Sequence, residues 1–301
     1  MKTSNNLLLV LILSFIALYG CQKNTQEITS GTVETNGVDL YYEVAGRGEP
    51  LVLIHGNGGD RRHWDDQFIP LSKEFQVIRY DVRGYGKSVF TNSDIEFSHH
   101  DDLKTLLGYL EIESAHICGL SMGSGIAVDF ALAYPERCRS LIPIGAWANG
   151  YGTGDYVTHA SDSLFSIMGK VASIASEKGT KEATDYFLTG NDLFRNAIRL
   201  PSTVEHMKNV GYDYSYWNFI NPVKQMVYQP LAITALDNIK IPTLIVIGEY
   251  DLEACIEIAD MMKENIVGSK KVTIKDAGHA MNMDKSEEFN RLVTEFIKNI
   301  K

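Results

Sequence analysis

Cysteine is scarce in this 301-residue chain. There are four, and setting Cys21 aside leaves Cys118, Cys138 and Cys255, an odd number from which no complete disulfide framework can be drawn. None of the three has a second cysteine at metal-ligand spacing, so each reads as small apolar filling. Positive charge is also short. Lys and Arg number 28 against 38 Asp and Glu, a formal net charge of -10, and neither sign gathers into a long run. That balance favours solubility and excludes a nucleic-acid partner, which calls for clustered basic residues. Internal repeats and low-complexity tracts are missing. A comfortable membrane span is missing too, because the apolar stretch from Leu7 to Tyr19 has only 13 residues. At 45% hydrophobic and 22% charged, the composition excludes wholesale disorder and suits one large α/β core with an insertion.

The apolar stretch follows a basic start, Met1-Lys2, and has the length of a signal-peptide core. It ends in Leu18-Tyr19-Gly20-Cys21, which resembles the bacterial lipobox. That resemblance implies a signal peptide over 1–20, a diacylated Cys21 as the new first residue, and a polar tether over 21–30. It places the protein outside the cytoplasm, lipid-anchored to a bacterial membrane on a periplasmic or outer-membrane face. Acyl chains contribute about 0.8 kcal/mol per buried methylene, enough for stable retention when two or more are attached. An uncleaved anchor helix, or a general secretory signal with a chance cysteine, is the competing reading.

Short apolar runs at 38–44, 51–54, 77–80, 115–118, 141–144, 243–247 and 272–274 read as strands. Between them, 64–71, 103–110, 122–133, 256–262 and 287–300 carry apolar residues at three- and four-residue spacing and read as helices. This alternation implies an α/β fold, a mostly parallel sheet with helices on both faces, whose ligands bind beyond the carboxyl ends of the strands. The alternation breaks from 147 to 239, where there is no strand-like run. Several short helices and twelve aromatic residues, from Tyr151 to Tyr228, suggest an inserted helical cap over an apolar pocket, with most single rings packing the cap onto the core. The expected division is a core over 31–146 and 240–301 with a cap over 147–239.

Gly119-Leu120-Ser121-Met122-Gly123 joins the strand ending near 118 to the helix starting at 122. A turn this tight strains the serine and admits only small neighbours, and it holds Ser121 proud of the sheet edge. The following helix aims its free N–H groups, Met122 first, at the space where negative charge develops on an attacked carbonyl. A serine hydroxyl needs a base, and the base needs an orienting carboxylate. His279, in Asp276-Ala277-Gly278-His279, follows one strand, and Asp251 follows the neighbouring one through Gly248-Glu249-Tyr250. Asp276 is the rival acid, but it shares a short loop with His279. The adjacent residues His99-His100-Asp101-Asp102 look like a metal cluster but point in different directions at a helix start, so capping and solvation explain them. Gly84-Tyr85-Gly86 lacks the third glycine of a phosphate loop and reads as a structural turn.

Together with His55-Gly56-Asn57-Gly58-Gly59 and Asp81-Val82-Arg83-Gly84-Tyr85-Gly86-Lys87-Ser88, these residues resemble the α/β-hydrolase fold family over about 32–301. The resemblance implies a Ser121, Asp251, His279 triad, with oxyanion donors on the backbone N–H groups of Met122 and Asn57. Asn57 departs from the bulky apolar residue frequent at that place. The implied activity is cofactor-free and metal-free hydrolysis of a small, apolar ester or lactone through an acyl-enzyme on Ser121. C–C bond hydrolase, aminopeptidase and perhydrolase or haloperoxidase-like activities use the same groups and stay open, as does a non-catalytic ligand-binding scaffold.

Overall fold

In the computed structural model, which describes residues 27–300, ten strands and eleven α-helices follow one another along the chain. The strands are β1 (Ile28–Thr35), β2 (Val38–Ala45), β3 (Pro50–Ile54), β4 (Gln76–Tyr80), β5 (Glu96–Phe97), β6 (Ala115–Leu120), β7 (Cys138–Ile144), β8 (Lys224–Gln225), β9 (Leu244–Gly248) and β10 (Lys270–Ile274). The helices of the core are α1 (Asp65–Leu71), α2 (His99–Tyr109) and α3 (Met122–Ala133). A helical segment then supplies α4 (His159–Lys178), α5 (Thr180–Thr189), α6 (Asp192–Ala197), α7 (Pro201–Gly211) and α8 (Trp217–Ile220). The core resumes with α9 (Glu253–Asn265), α10 (Met281–Asp284) and α11 (Ser286–Lys298).

Eight strands form one sheet in the order β1-β2-β4-β3-β6-β7-β9-β10. The β1/β2 and β2/β4 pairs are antiparallel, and the other pairs are parallel. The parallel strands β3 and β9, and β7 from Leu141 onward, are continuous apolar runs because helices cover both faces. Alternate side chains serve two cores. Val52, Ile54 and Ile117 face a cluster shared with α2, α3, α9 and the helical segment, while Leu51, Leu53 and Cys118 face Trp64 just before α1, Phe68 of α1, and Phe289 and Val293 of α11. The parallel arrangement carries the ends of β3, β6, β9 and β10 to one edge.

Two expectations need correction. The tether read over 21–30 ends earlier, because Ile28 already begins β1. That strand is tied to β2 by a two-residue turn in which Asn36 and Gly37 both have positive φ, 41° and 80°. Its sequence is polar, and only Val33 and Thr35 are buried. The stretch 147–239 also holds a strand, β8, which pairs in parallel with β5 over two residues, too few to leave a periodic signal. The signal segment 1–20 and Cys21 lie outside the described residues. Among the described residues no helix is long and apolar enough to cross a membrane.

Candidate active site

Ser121 sits at φ 54° and ψ -112°, a left-handed backbone that a side chain adopts only when its surroundings hold it there. Its N–H donates to Ile144 O on β7 (2.9 Å), and its carbonyl accepts from Ser124 N (2.9 Å) and Gly125 N (3.2 Å). A Cβ on Gly119 would overlap the carbonyl of Gly123, and one on Gly123 would overlap that of Ile54 at the end of β3. The glycines are therefore required by backbone crowding. Because Ser124 and Gly125 spend their N–H groups on Ser121, the amides of Met122 and Gly123 are the free donors of the first turn of α3.

Asp251 and His279 meet at the ends of β9 and β10. Asp251 Oδ1 accepts from His279 Nδ1 at 2.6 Å and from Leu252 N at 2.7 Å. A carboxylate that only accepts keeps the imidazole proton on Nδ1 and leaves Nε2 as the free base. The backbone of the histidine loop is tied down as well. Gly278 N donates to Asp284 Oδ2 (2.9 Å), and His279 N donates to Ala197 O at the end of α6 (2.6 Å). Asp276 instead occupies an exposed turn with φ 55°, its N–H on Glu249. The choice between the two carboxyls falls geometrically on Asp251.

Ser121, Met122, Asn57 and His279 open on one cavity of about 550 Å³. Ile126 of α3 and Leu164, Phe165, Met168, Phe187 and Phe194 of the helical segment supply apolar wall. Among its described lining residues none is Asp, Glu, Lys or Arg. His63 and His99 also line it and are uncharged at neutral pH: burial drives both imidazoles down to about 3, helped at His99 by the Arg83 cation. The Asn57 side chain is a brace. Its Oδ1 accepts from Gly58 N (2.9 Å) and from Tyr85 OH (2.8 Å), and the Tyr85 ring stacks on Tyr214 at 4.7 Å. His55 holds the same loop, bonding Gly56 O through Nδ1 (2.8 Å) and accepting from Val82 N on Nε2 (3.0 Å).

The cluster at 99–102 disperses as its adjacency implied, but solvation is the wrong account of two members. His99 is buried in the cavity wall, and buried Asp102 pairs with Arg83 at 2.6 and 2.8 Å. Asp101 accepts from Ser98 and Tyr134. The 81–88 segment is a structural turn in which Asp81 accepts from Arg61 and from Lys87 N. Of the twelve aromatics between 151 and 228, Phe165, Phe187, Phe194 and Phe219 reach the cavity. Sequence reasoning missed Cys255, buried in the cavity wall beside Asp251 and His279. Its position four residues after Asp251 was the available hint.

Residues 49–286 match the family model described as alpha/beta hydrolase fold. A putative carbamate hydrolase of Yersinia enterocolitica, RutD, is 25% identical over 86% of this chain and 92% of its own. The 2-hydroxy-6-oxo-6-phenylhexa-2,4-dienoate hydrolase of Comamonas testosteroni is 24% identical over 86% and 91%. Among solved structures, a thermophilic esterase from Thermogutta terrifontis superposes with a TM-score of 0.70 at 25% identity, covering 91% of this chain and 99% of that one. Three relatives thus carry three different bond classes on one scaffold, and what they share with this chain is the fold and hydrolysis. With the match spanning both halves of the sheet, the chain is an enzyme of the α/β-hydrolase fold family.

Proposed function

We propose that the protein is a serine hydrolase that cleaves a small, uncharged ester or lactone through an acyl-enzyme on Ser121, under a cap formed by residues 147–239. The observation that carries this reading is an uncharged cavity into which the strained serine and the anchored histidine both open. In the first half-reaction Ser121 Oγ bonds to the carbonyl carbon while its proton passes to His279 Nε2. The carbonyl oxygen takes the negative charge and is met by the N–H groups of Met122 and Asn57. Asp251 stabilises the imidazolium, which then protonates the departing alkoxide as the C–O bond breaks. A water repeats the sequence on the acyl-enzyme and releases the acid.

Substrate charge follows from the wall. A dienoate, the substrate named for the Comamonas relative, brings a carboxylate, and burying an unpaired carboxylate is costly where no Lys or Arg is among the described lining residues. A neutral ester or lactone meets no such penalty, in keeping with the esterase among the structural relatives.

The test is labelling by a fluorophosphonate probe, followed by a p-nitrophenyl ester panel. Wild type is expected to be labelled and Ser121→Ala not, and turnover is expected to favour neutral acyl chains over one ending in a carboxylate. Absence of labelling and turnover in wild type, or equal labelling of Ser121→Ala, overturns the reading. We also propose that Cys21 is lipidated and anchors the exported enzyme to a bacterial membrane, supported by the lipobox-like sequence. Membrane retention of a processed Cys21→Ala form would contradict it.

A further inference from the structure

Cys255 is used by no step above, yet it is 1% exposed in the first turn of α9 and faces the Asp251–His279 pair. A carboxylate oxygen of Asp251, Cys255 Sγ and an imidazole nitrogen of His279 all lie within 4.8 Å of one another. Asp251 adds a second observation. Its Oδ1 is fully engaged by His279 and Leu252, but its Oδ2 is buried with no hydrogen-bond partner. A buried carboxylate oxygen left without a donor is costly, and a cation meets its need directly.

We propose that Asp251, Cys255 and His279 form an inhibitory site for a soft divalent cation of the zinc type. One sulfur, one nitrogen and one oxygen donor are the mixed set such an ion accepts, with a fourth position open toward the cavity. Tetrahedral zinc, with bonds of about 2.0–2.3 Å, sets its ligands about 3.5 Å apart, so the set closes on the ion with roughly 1 Å of side-chain movement. The charges balance. The ion enters as +2, the Cys255 thiol releases one proton to solvent, the His279 proton shifts from Nδ1 to Nε2 so that the imidazole stays neutral, and Asp251 keeps its charge, so the buried complex is neutral. Binding takes the orienting carboxylate and the imidazole out of service together. Magnesium, which demands hard oxygen ligands in an octahedron, is not accommodated.

The site shares two residues with the proposed catalytic pair but is read by bound metal as well as by turnover. The metal-stripped chain is incubated with Zn²⁺ or Mg²⁺, gel-filtered and assayed for retained metal, and ester turnover is measured with and without Zn²⁺ and after chelation. Wild type is expected to retain one zinc per chain and no magnesium, with inhibition reversed by chelator. Cys255→Ser, and Cys255→Ala as a second variant checked by thermal melting, are expected to weaken zinc binding and inhibition at least about tenfold relative to each variant's own zinc-free rate. Wild-type zinc retention no greater than that of the Cys255 variants, or undiminished inhibition in them, overturns the proposal. If the chain turned over no ester at all, zinc retention would still decide the matter.

Discussion

Replacing Asp251 by Asn separates two contributions that removal of the residue merges. Both donors facing this carboxyl, His279 Nδ1–H and Leu252 N–H, converge on the same oxygen. An asparagine that keeps its carbonyl there satisfies both, and its NH₂ falls at the Oδ2 position. The flipped amide would set NH₂ against two donors, so the backbone amide of Leu252 selects the orientation that preserves the Nδ1–H tautomer. Under the proposed acyl transfer, what Asp251→Asn loses is chiefly charge beside the imidazolium. Two unit charges about 4 Å apart at an effective dielectric of about 20 interact by about 4 kcal/mol, which caps the loss near a thousandfold. The neutral hydrogen bond that remains reduces it, giving an expected fall in kcat/KM of about 10²- to 10³-fold. Asp251→Ala leaves Nδ1–H without an acceptor and is expected to fall about 10⁴-fold, as when a triad loses its tautomer. Steady-state kinetics on a p-nitrophenyl ester, with Ser121→Ala as baseline, makes the comparison. Equal losses in Asn and Ala variants would refute the role assigned to Leu252, and no loss in either would refute the assignment of Asp251.

Two further outcomes follow from the fold. Gly123→Ala places a Cβ against the carbonyl of Ile54, backbone held in mid-sheet, and is expected to lower unfolding free energy by about 3 kcal/mol or more in chemical denaturation. Buried neutral His63 and His99, with folded values near 3 against an ordinary 6.5, predict acid sensitivity that begins above the carboxylate range. Between those values the unfolded chain binds protons the folded one refuses, so stability is full above about pH 6.5 and falls as pH drops through it, at up to about 1.4 kcal/mol per unit for each group. Urea midpoints from pH 7.5 to 5 check this, and the double variant His63→Gln with His99→Gln is expected to show a shallower slope.

The alternation of apolar runs and amphipathic helices made the parallel sheet legible, because strands buried on both faces cannot be polar. The serine turn was legible because its two glycines answer to backbone crowding, which leaves few choices of residue. β1 was not, since an edge strand held by backbone pairing and a tight turn needs almost no apolar side chain. Asp251 was separable from Asp276 by strand placement alone. The neighbourhood of Cys255 was invisible because it joins a helix turn to two loops, and only the packed chain brings those donors together. His99 was misjudged for a similar reason: its sequence neighbours Ser98, His100 and Asp101 are polar, while its own ring is turned inward against Phe97 and the cavity.

The bond from the His279 amide to the Ala197 carbonyl has a consequence for how this enzyme can be remodelled. The loop that aims the imidazole is docked against the end of α6, and a Cβ on Gly278 would itself overlap that carbonyl. The helical segment is therefore part of the chassis at this corner, not an accessory that can be traded for one from another scaffold. Diversity in what enters is more safely sought along α4, where Phe165 is 45% exposed and borders the chamber without touching the histidine loop's amide. A graft that moves residue 197 is expected to misalign the His279 imidazole even when every side chain of the proposed triad has been retained.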